Sequence, residues 1–400
     1  MPDVDAAAPF AATAPLPPAP RVLEIRFTGS GSEYFRIWAV NLLLTLVTVG
    51  LYLPFAKARR IRYFYANTLV DGQALSFHGD PWKMFRGFLL LVVLMGIYSG
   101  AGRFSPTAAV VAFLILCAVW PALWRASLQF RLGNTSWRGL RLRFEGSLKG
   151  AYLACAPMYL PMMIFVALSR LMAPQPSGDP AVDEAAVQTF GLYSLAAMGL
   201  WSLLSPWSFA LFKRYQHNGY RIAGQHSCVK LSIAAVYLLS LKIIGIALLA
   251  LIPIALLGGV VAFLVHFMGL LGQGGLMAAA VTVVPFLLGY LMLFAIVMPY
   301  GAARMQNLAW NGTRSEALGF ESRLEFGSLF ALTLKNWLLT ALTLGLYRPF
   351  AAVSTARLRL EAVSIGCDED PADWVAAAGA GHADATGDIA GDFFGIDMGL

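Results

Sequence analysis

The sequence predicts a mainly α-helical fold, a polytopic membrane bundle of repeated hairpin units with short cytoplasmic β-strands. Three observations predict it. The 400 residues are 58% hydrophobic and 13% charged, about half the charged share of a soluble domain. Several apolar stretches approach the ~20 residues that a spanning helix needs. One block recurs along the chain, as internal repeats do. Residues 54–79 read PFAKARRIRYFYANTLVDGQALSFHG, and residues 121–146 read PALWRASLQFRLGNTSWRGLRLRFEG. In both, Asn follows Pro by 13 residues, a middle Gly follows Asn by 5 and a last Gly by 12. Weaker copies start at Pro206 and Pro299, and a degenerate one at Pro349.

Taken in order, residues 1–20 form a Pro/Ala-rich tail, expected to be disordered and without the basic n-region of a signal peptide. Residues 21–365 form the repeat-built membrane domain. Residues 366–400 hold eight acids and no Lys or Arg, and are expected to be a second disordered tail. Within the membrane domain, residues 23–29 (LEIRFTG) alternate apolar and polar, a strand signal. Similar tags precede later apolar segments at residues 74–79, 140–146 and 323–327. The first apolar segment spans residues 34–55. Its core from Asn41, NLLLTLVTVGLYLPFA, recurs from Asn336 as NWLLTALTLGLYRPFA. Asn41 matches Asn336, Thr45 Thr340, Thr48 Thr343 and Gly50 Gly345. The paired segments between them (85–98 with 106–123, 152–171 with 192–212, 231–257 with 277–298) predict helical hairpins. Residues 260–271 either extend a helix or lie along the interface.

The stretches FTGSGSEYFRIWAVNLLLT and GLYLPFAKARRIRYFYANTLVDG resemble a family of uncharacterised bacterial inner-membrane proteins typified by YjgN. The resemblance covers most of residues 22–365. It implies a multi-pass inner-membrane location and brings no active-site residues with it.

The Lys and Arg residues cluster in the recurring blocks, while the alternate connectors carry Arg103 and Arg170 alone. By the positive-inside rule the blocks are cytoplasmic, and so are both termini. The first and last units then pose a problem, because each has one apolar run between two cytoplasmic flanks. Re-entrant hairpins bent near Gly50 and Gly345 solve it, and one straight crossing is the alternative. Glycine permits the tight bend. The two units are expected side by side.

The candidate pathway or buried polar residues are Asn41, Thr45, Thr48, Lys335, Asn336, Thr340, Thr343 and Lys242, the last half-way along an apolar run. An intramembrane charge normally faces a cavity or a partner, so Lys242 is expected to face the bundle interior. Helix-to-helix hydrogen bonding is the plainer role for the Asn and Thr residues. The recurring prolines read as helix starts, and Asn67, Asn134, Asn218 and Asn311 as helix ends or turns. Arg59, Arg60, Arg62, Arg141 and Arg143 form a candidate basic cytoplasmic face. The expected partner is the lipid bilayer, with anionic headgroups at that face; no nucleic-acid partner is expected, and the oligomeric state is left open. Cys117, Cys155, Cys228 and Cys367 show no framework spacing. Neither hydrolase, nucleotide-binding nor metal-ligand motifs occur, so no cofactor and no enzymatic activity are expected. The leading reading is a transporter or channel-like protein. The alternative is a non-catalytic scaffold or lipid-binding protein.

Overall fold

A computed structural model of the protein describes residues 21–172, 177–267 and 276–381. The first unit is β1 (Arg21–Phe27), α1 (Gly31–Val47), α2 (Leu53–Ala66), β2 (Thr68–Val70) and β3 (Gln73–Phe77). The second is α3 (Pro81–Phe104), α4 (Pro106–Gly133), β4 (Thr135–Trp137) and β5 (Leu140–Phe144). The third is α5 (Leu148–Met172), α6 (Pro180–Asn218), β6 (Tyr220–Ile222), β7 (Gln225–His226) and β8 (Cys228–Val229). The fourth is α7 (Ile233–Phe267), α8 (Leu276–Asn311), β9 (Thr313–Arg314) and β10 (Leu318–Ser322). The last is α9 (Phe326–Leu342), α10 (Arg348–Glu361), β11 (Val363–Cys367) and α11 (Pro371–Gly381).

Among the described residues, five helices are long and apolar enough to cross a membrane: α3, α4, α6 and most of α5 and α7. In α7 none of the most apolar window is buried within the protein, although the helix packs along α8. Local chemistry starts the helices. Asp80, Ser105 and Asp179 accept backbone N–H bonds from Trp82, Ala108 and Ala181, each one residue ahead of a first-turn proline. Only Pro54 and Pro349 of the recurring prolines start helices; Pro121, Pro206 and Pro299 lie inside α4, α6 and α8. There the spanning part and its basic continuation form one uninterrupted rod. The apolar stretch from Val260 likewise continues α7 as far as Phe267.

The expectation of short cytoplasmic β-strands is not confirmed as it stood, because the strands build one large sheet. They pair antiparallel into a single 11-stranded sheet in the order β7-β6-β5-β4-β3-β2-β1-β11-β10-β9-β8. The first and last strands of that order are separated in the chain by Ser227 alone, so the sheet is nearly a closed ring. Two- and three-residue strands are too short to be stable by themselves. Side by side, each covers the open edge of the next. Three hairpins turn on Asp71-Gly72, Arg138-Gly139 and Ala223-Gly224, all with positive φ, the geometry of tight turns that match strand twist. The Phe-x-Gly tags are also explained. Phe27, Phe77 and Phe144 fold back over Gly29, Gly79 and Gly146, where a Cβ would strike the ring.

A side chain on each second helix ties its unit to the next. Arg62 donates to the Gly79 carbonyl at 3.0 Å, Arg125 to Gly146 at 2.7 Å and Arg214 to Leu231 at 2.8 Å. Asn307 donates to Leu324 at 2.9 Å, and Arg357 closes the circle on Gly29 at 2.8 Å. The second helices α2, α4, α6, α8 and α10 thus stand above the ring of strands.

The end units are bent hairpins. The chain breaks at Val49-Gly50 (φ 49° and 89°) and at Leu344-Gly345 (φ 50° and 94°). Because β1 pairs with β2 and β10 with β11, both flanks of each unit lie in one sheet, which excludes a single crossing. The units are neighbours, with α1 packed on α10 and the Phe35 and Phe350 rings 5.8 Å apart. Each bend is sealed from within. The Thr48 hydroxyl donates to the Leu44 carbonyl and accepts from the Tyr52 N–H, and Thr343 does the same with Leu339 and Tyr347. Val49 and Leu344 at the tips are 91% and 95% exposed, as suits apolar tips dipping into lipid. Gly50→Leu and Gly345→Leu are each expected to lower stability by ~1–3 kcal/mol, because a side chain is forced into a sparsely allowed φ. Thermal unfolding in detergent reads this; an unchanged midpoint would contradict it.

The C-terminal boundary also differs from expectation. Residues 366–381, read as disordered tail from their acidity, carry the end of β11 and all of α11. Trp374 supplies the reason: it is buried, inside the main cluster of the ring with Leu23, Val70 and Trp137. The N-terminal tail and residues 382–400 lie outside the described residues.

Candidate functional site

Four of the five second helices end at an Asn, and α10 is capped at Ala362. Asn67 and Asn134 cap α2 and α4, their side chains donating to the Tyr63 and Phe130 carbonyls at 2.8 Å. In α6 and α8 the equivalent Asn218 and Asn311 accept from the Val229 and Ser322 N–H groups. The chain then turns into the ring at Thr68, Thr135 and Thr313, whose hydroxyls donate to the carbonyl four residues back, each at 2.7 Å. Residues one turn before these ends therefore share one direction, toward the middle.

A cavity of about 650 Å³ lies there, bounded by the helix ends and the inner face of the ring. Strand alternation places Leu75, Trp137, Leu142, Ile222, Phe320 and Ile365 on its wall. Trp374 lines it from α11, and its indole N–H donates to Glu369 at 2.6 Å. The helices contribute polar groups: Tyr65 from α2, Arg131 from α4, Gln306 from α8 and Arg359 from α10. Arg359 keeps accessible surface because it borders the cavity. Its Nε donates to Gln306 Oε1 at 2.9 Å, and Gln306 Nε2 donates to the Arg359 carbonyl at 2.9 Å. Partial burial pulls the Arg359 guanidinium below its ordinary pKa, yet arginine in proteins stays charged.

Lys213, on α6, sits close enough to Arg131 and Arg359 to feel both charges. Its Nζ lies over the Phe209 ring at 5.9 Å and reaches Gln216 Oε1 at 3.4 Å. Among the described residues, no carboxylate pairs with Arg131, Lys213 or Arg359; ion pairs elsewhere include those of Arg21 and Arg138 with Asp71, Arg26 with Glu24, Arg221 and His226 with Glu145, and Arg323 with Glu321. One turn away, His217 Nδ1 contacts Thr313 Oγ1 at 2.8 Å. That hydroxyl already donates to Ala309, so the imidazole must carry its proton on Nδ1. Arg131 and Arg359 thus border the cavity, and Lys213 lies within electrostatic reach of both without lining it.

The residues expected to line a pathway are not gathered there. Asn41 and Asn336 are buried, but each holds its own hairpin together. Asn41 Nδ2 reaches the Ala56 carbonyl at 3.4 Å, and Asn336 Nδ2 reaches Ser354 and Thr355, each at 3.2 Å. Thr45 donates to the Asn41 carbonyl, Thr48 and Thr343 seal the bends, and Thr340 offers its carbonyl to Gly345. Lys335 is exposed. Lys242 is exposed on α7 and does not face the interior; its flexible stem allows the ammonium to reach toward the membrane surface instead. Of the basic face, Arg59 and Arg60 are exposed and cover the Tyr52 and Phe64 rings. Arg62 bonds Gly79, Arg141 is exposed on β5, and Arg143 lies at the cavity rim. Sequence reasoning treated Arg131 and Lys213 as topological charges and passed over Gln306, Arg359 and Trp374. One signal was available: Arg131 and Arg359 each stand four residues before a strand that follows a second helix.

A family model described as bacterial protein of unknown function (DUF898) matches residues 22–393. The chain is 28% identical over 255 residues to the inner membrane protein YjgN of Escherichia coli O157:H7, covering 59% of this chain and 58% of that protein. It is 29% identical over 178 residues to YjgN of Escherichia coli K12, covering 44% of each chain. It is 30% identical over 145 residues to YjgN of Salmonella typhimurium, covering 36% of this chain and 37% of the relative. The matched region thus spans less than two thirds of these relatives' length. No solved structure matches.

Proposed function

We propose, for a chain that belongs to the DUF898 family of bacterial proteins of unknown function, that it is a non-catalytic inner-membrane transporter that takes an anion into the axial cavity. The carrying observation is that Arg131 and Arg359 line the cavity from two helices, with Lys213 of a third within electrostatic reach and no carboxylate partner for any of them among the described residues. Such a cluster repels itself when empty and is relieved by a bound negative charge. The test is uptake of radiolabelled hexanesulfonate, which stays charged at any working pH, into liposomes carrying the full chain. Uptake that falls to the protein-free level in an Arg131→Gln/Arg359→Gln double variant supports transport. Uptake at the protein-free level with the unchanged chain refutes it.

A second reading, a scaffold that binds lipid headgroups, is favoured by Arg59, Arg60 and Arg141, which are exposed. Binding of hexanesulfonate without uptake, together with vesicle binding lost on Arg59→Gln/Arg60→Gln, would select it.

In either case the excess of Lys and Arg in the recurring blocks supports a ring and both termini on the cytoplasmic side. With Cys228, which is exposed, changed to Ser, a membrane-impermeant maleimide should reach Phe104→Cys from outside intact cells. It should reach Arg141→Cys and Arg314→Cys only after lysis. The opposite pattern would invert the topology.

A further inference from the structure

The anion reading of the axial cavity leaves most of its wall unexplained, because apart from the helix-end bases and the strand residues Arg143 and Arg221 that wall is largely apolar. We propose that the ligand is a single-chain amphipathic anion, its head held by Arg131 and Arg359 with the charge of Lys213 nearby, and its apolar body lying in the ring of strands. Three observations carry this, given that reading. First, the wall below the bases is apolar and aromatic, with Leu75, Trp137, Leu142, Ile222, Phe320 and Ile365 facing inward. A small hydrated anion would leave that surface unused. Second, the ring of threonine hydroxyls offers an incoming head no protons. Thr68, Thr135 and Thr313 each donate to their own helix, while Arg131 and Arg359 are the charged donors at the helix ends. Third, about 650 Å³ lies within the range of ~300–1,000 Å³ of small-molecule sites, and Trp374 and Trp137 of the main cluster are part of its lining.

The geometry also says how the parts divide. Charge-assisted bonds to a head are strong where water is excluded, and the aromatic floor gains with each methylene that reaches it. Affinity should therefore depend on both ends of the ligand, and on different residues for each.

The test is calorimetric titration of the full chain in phosphatidylcholine nanodiscs, with empty discs as the blank. The probes are methane-, butane-, hexane- and octanesulfonate, and octanol as the uncharged control. Affinity should rise by about fourfold per added methylene. Octanol should bind at least tenfold more weakly than octanesulfonate. Leu75→Trp, which fills part of the cavity, should cost octanesulfonate far more than butanesulfonate. Arg359→Gln should weaken the whole series equally, and Arg359→Lys should restore part of it. Equal binding of methane- and octanesulfonate would overturn the amphipathic assignment while leaving the anion site standing. No Arg-dependent binding of any sulfonate would overturn the anion site itself. Displacement of octanesulfonate by phosphatidylglycerol added to the discs would overturn the single-chain assignment in favour of a membrane lipid.

Discussion

An Arg131→Gln/Arg359→Gln double variant should lose octanesulfonate binding while the empty protein stays at least as stable as before. Each hydrogen bond to a charged group contributes ~1.5–3 kcal/mol, so each arginine should be worth roughly ten- to a hundredfold in affinity. The losses will not add simply, because the two residues share one ligand and one neighbour, Lys213. Stability should move the other way. Arg131 and Arg359 both lie within electrostatic reach of Lys213, and among the described residues no carboxylate offsets them. Removing them relieves like-charge repulsion, against the loss of the Arg359–Gln306 bonds. Arg131→Gln alone should thus leave the unfolding temperature unchanged or raise it, and hexanesulfonate should no longer raise it further. Stability traded for function is the usual mark of a site. A double variant that unfolds early and still binds would show the arginines to be structural.

Trp374→Ala should have the largest effect on the fold itself. Truncating a buried tryptophan costs ~3–5 kcal/mol, and Trp374 is 7% exposed. The loss should be local as well as global, because α11 follows β11 and enters the main cluster through this side chain. Hydrogen exchange should quicken across residues 371–381 and on the inner face of β1 and β11, more than in α7 or α8. Octanesulfonate affinity should fall because the cavity loses part of its wall, while methanesulfonate affinity should hardly change. Uniform exchange in α11 before and after the substitution would contradict the packing described.

Parts of this architecture were legible in the sequence for identifiable reasons. The match between the stretches from Asn41 and Asn336 announced two equivalent units. The clash of that match with the positive-inside rule favoured bends over one straight crossing, and Gly50 and Gly345 were the residues able to make them. The pairing of β1 with β2 and of β10 with β11 is the physical form of the same constraint. The ring was not legible. Strands such as β4 and β6 have three residues, too few for alternation to register. Arg21 of β1 pairs with Cys367 of β11 across nearly the whole chain, and nothing local encodes that. The site was hidden for the same reason. Arg131 and Arg359 become neighbours of Lys213 only when the ring brings α4, α6 and α10 together. Lys242 misled because charge within an apolar run signals burial only when the side chain cannot reach the surface. Trp374 was masked by the acids around it, Asp368, Glu369, Asp370 and Asp373.

The most direct measurement is a structure of the full chain with 6-bromohexanesulfonate, locating bromine by its anomalous scattering. The account predicts the sulfonate among Arg131, Lys213 and Arg359 and the bromine inside the ring, near Leu75, Leu142 and Phe320. Bromine found only on the outer basic surface, beside Arg59 and Arg60, with the ring empty, would contradict it.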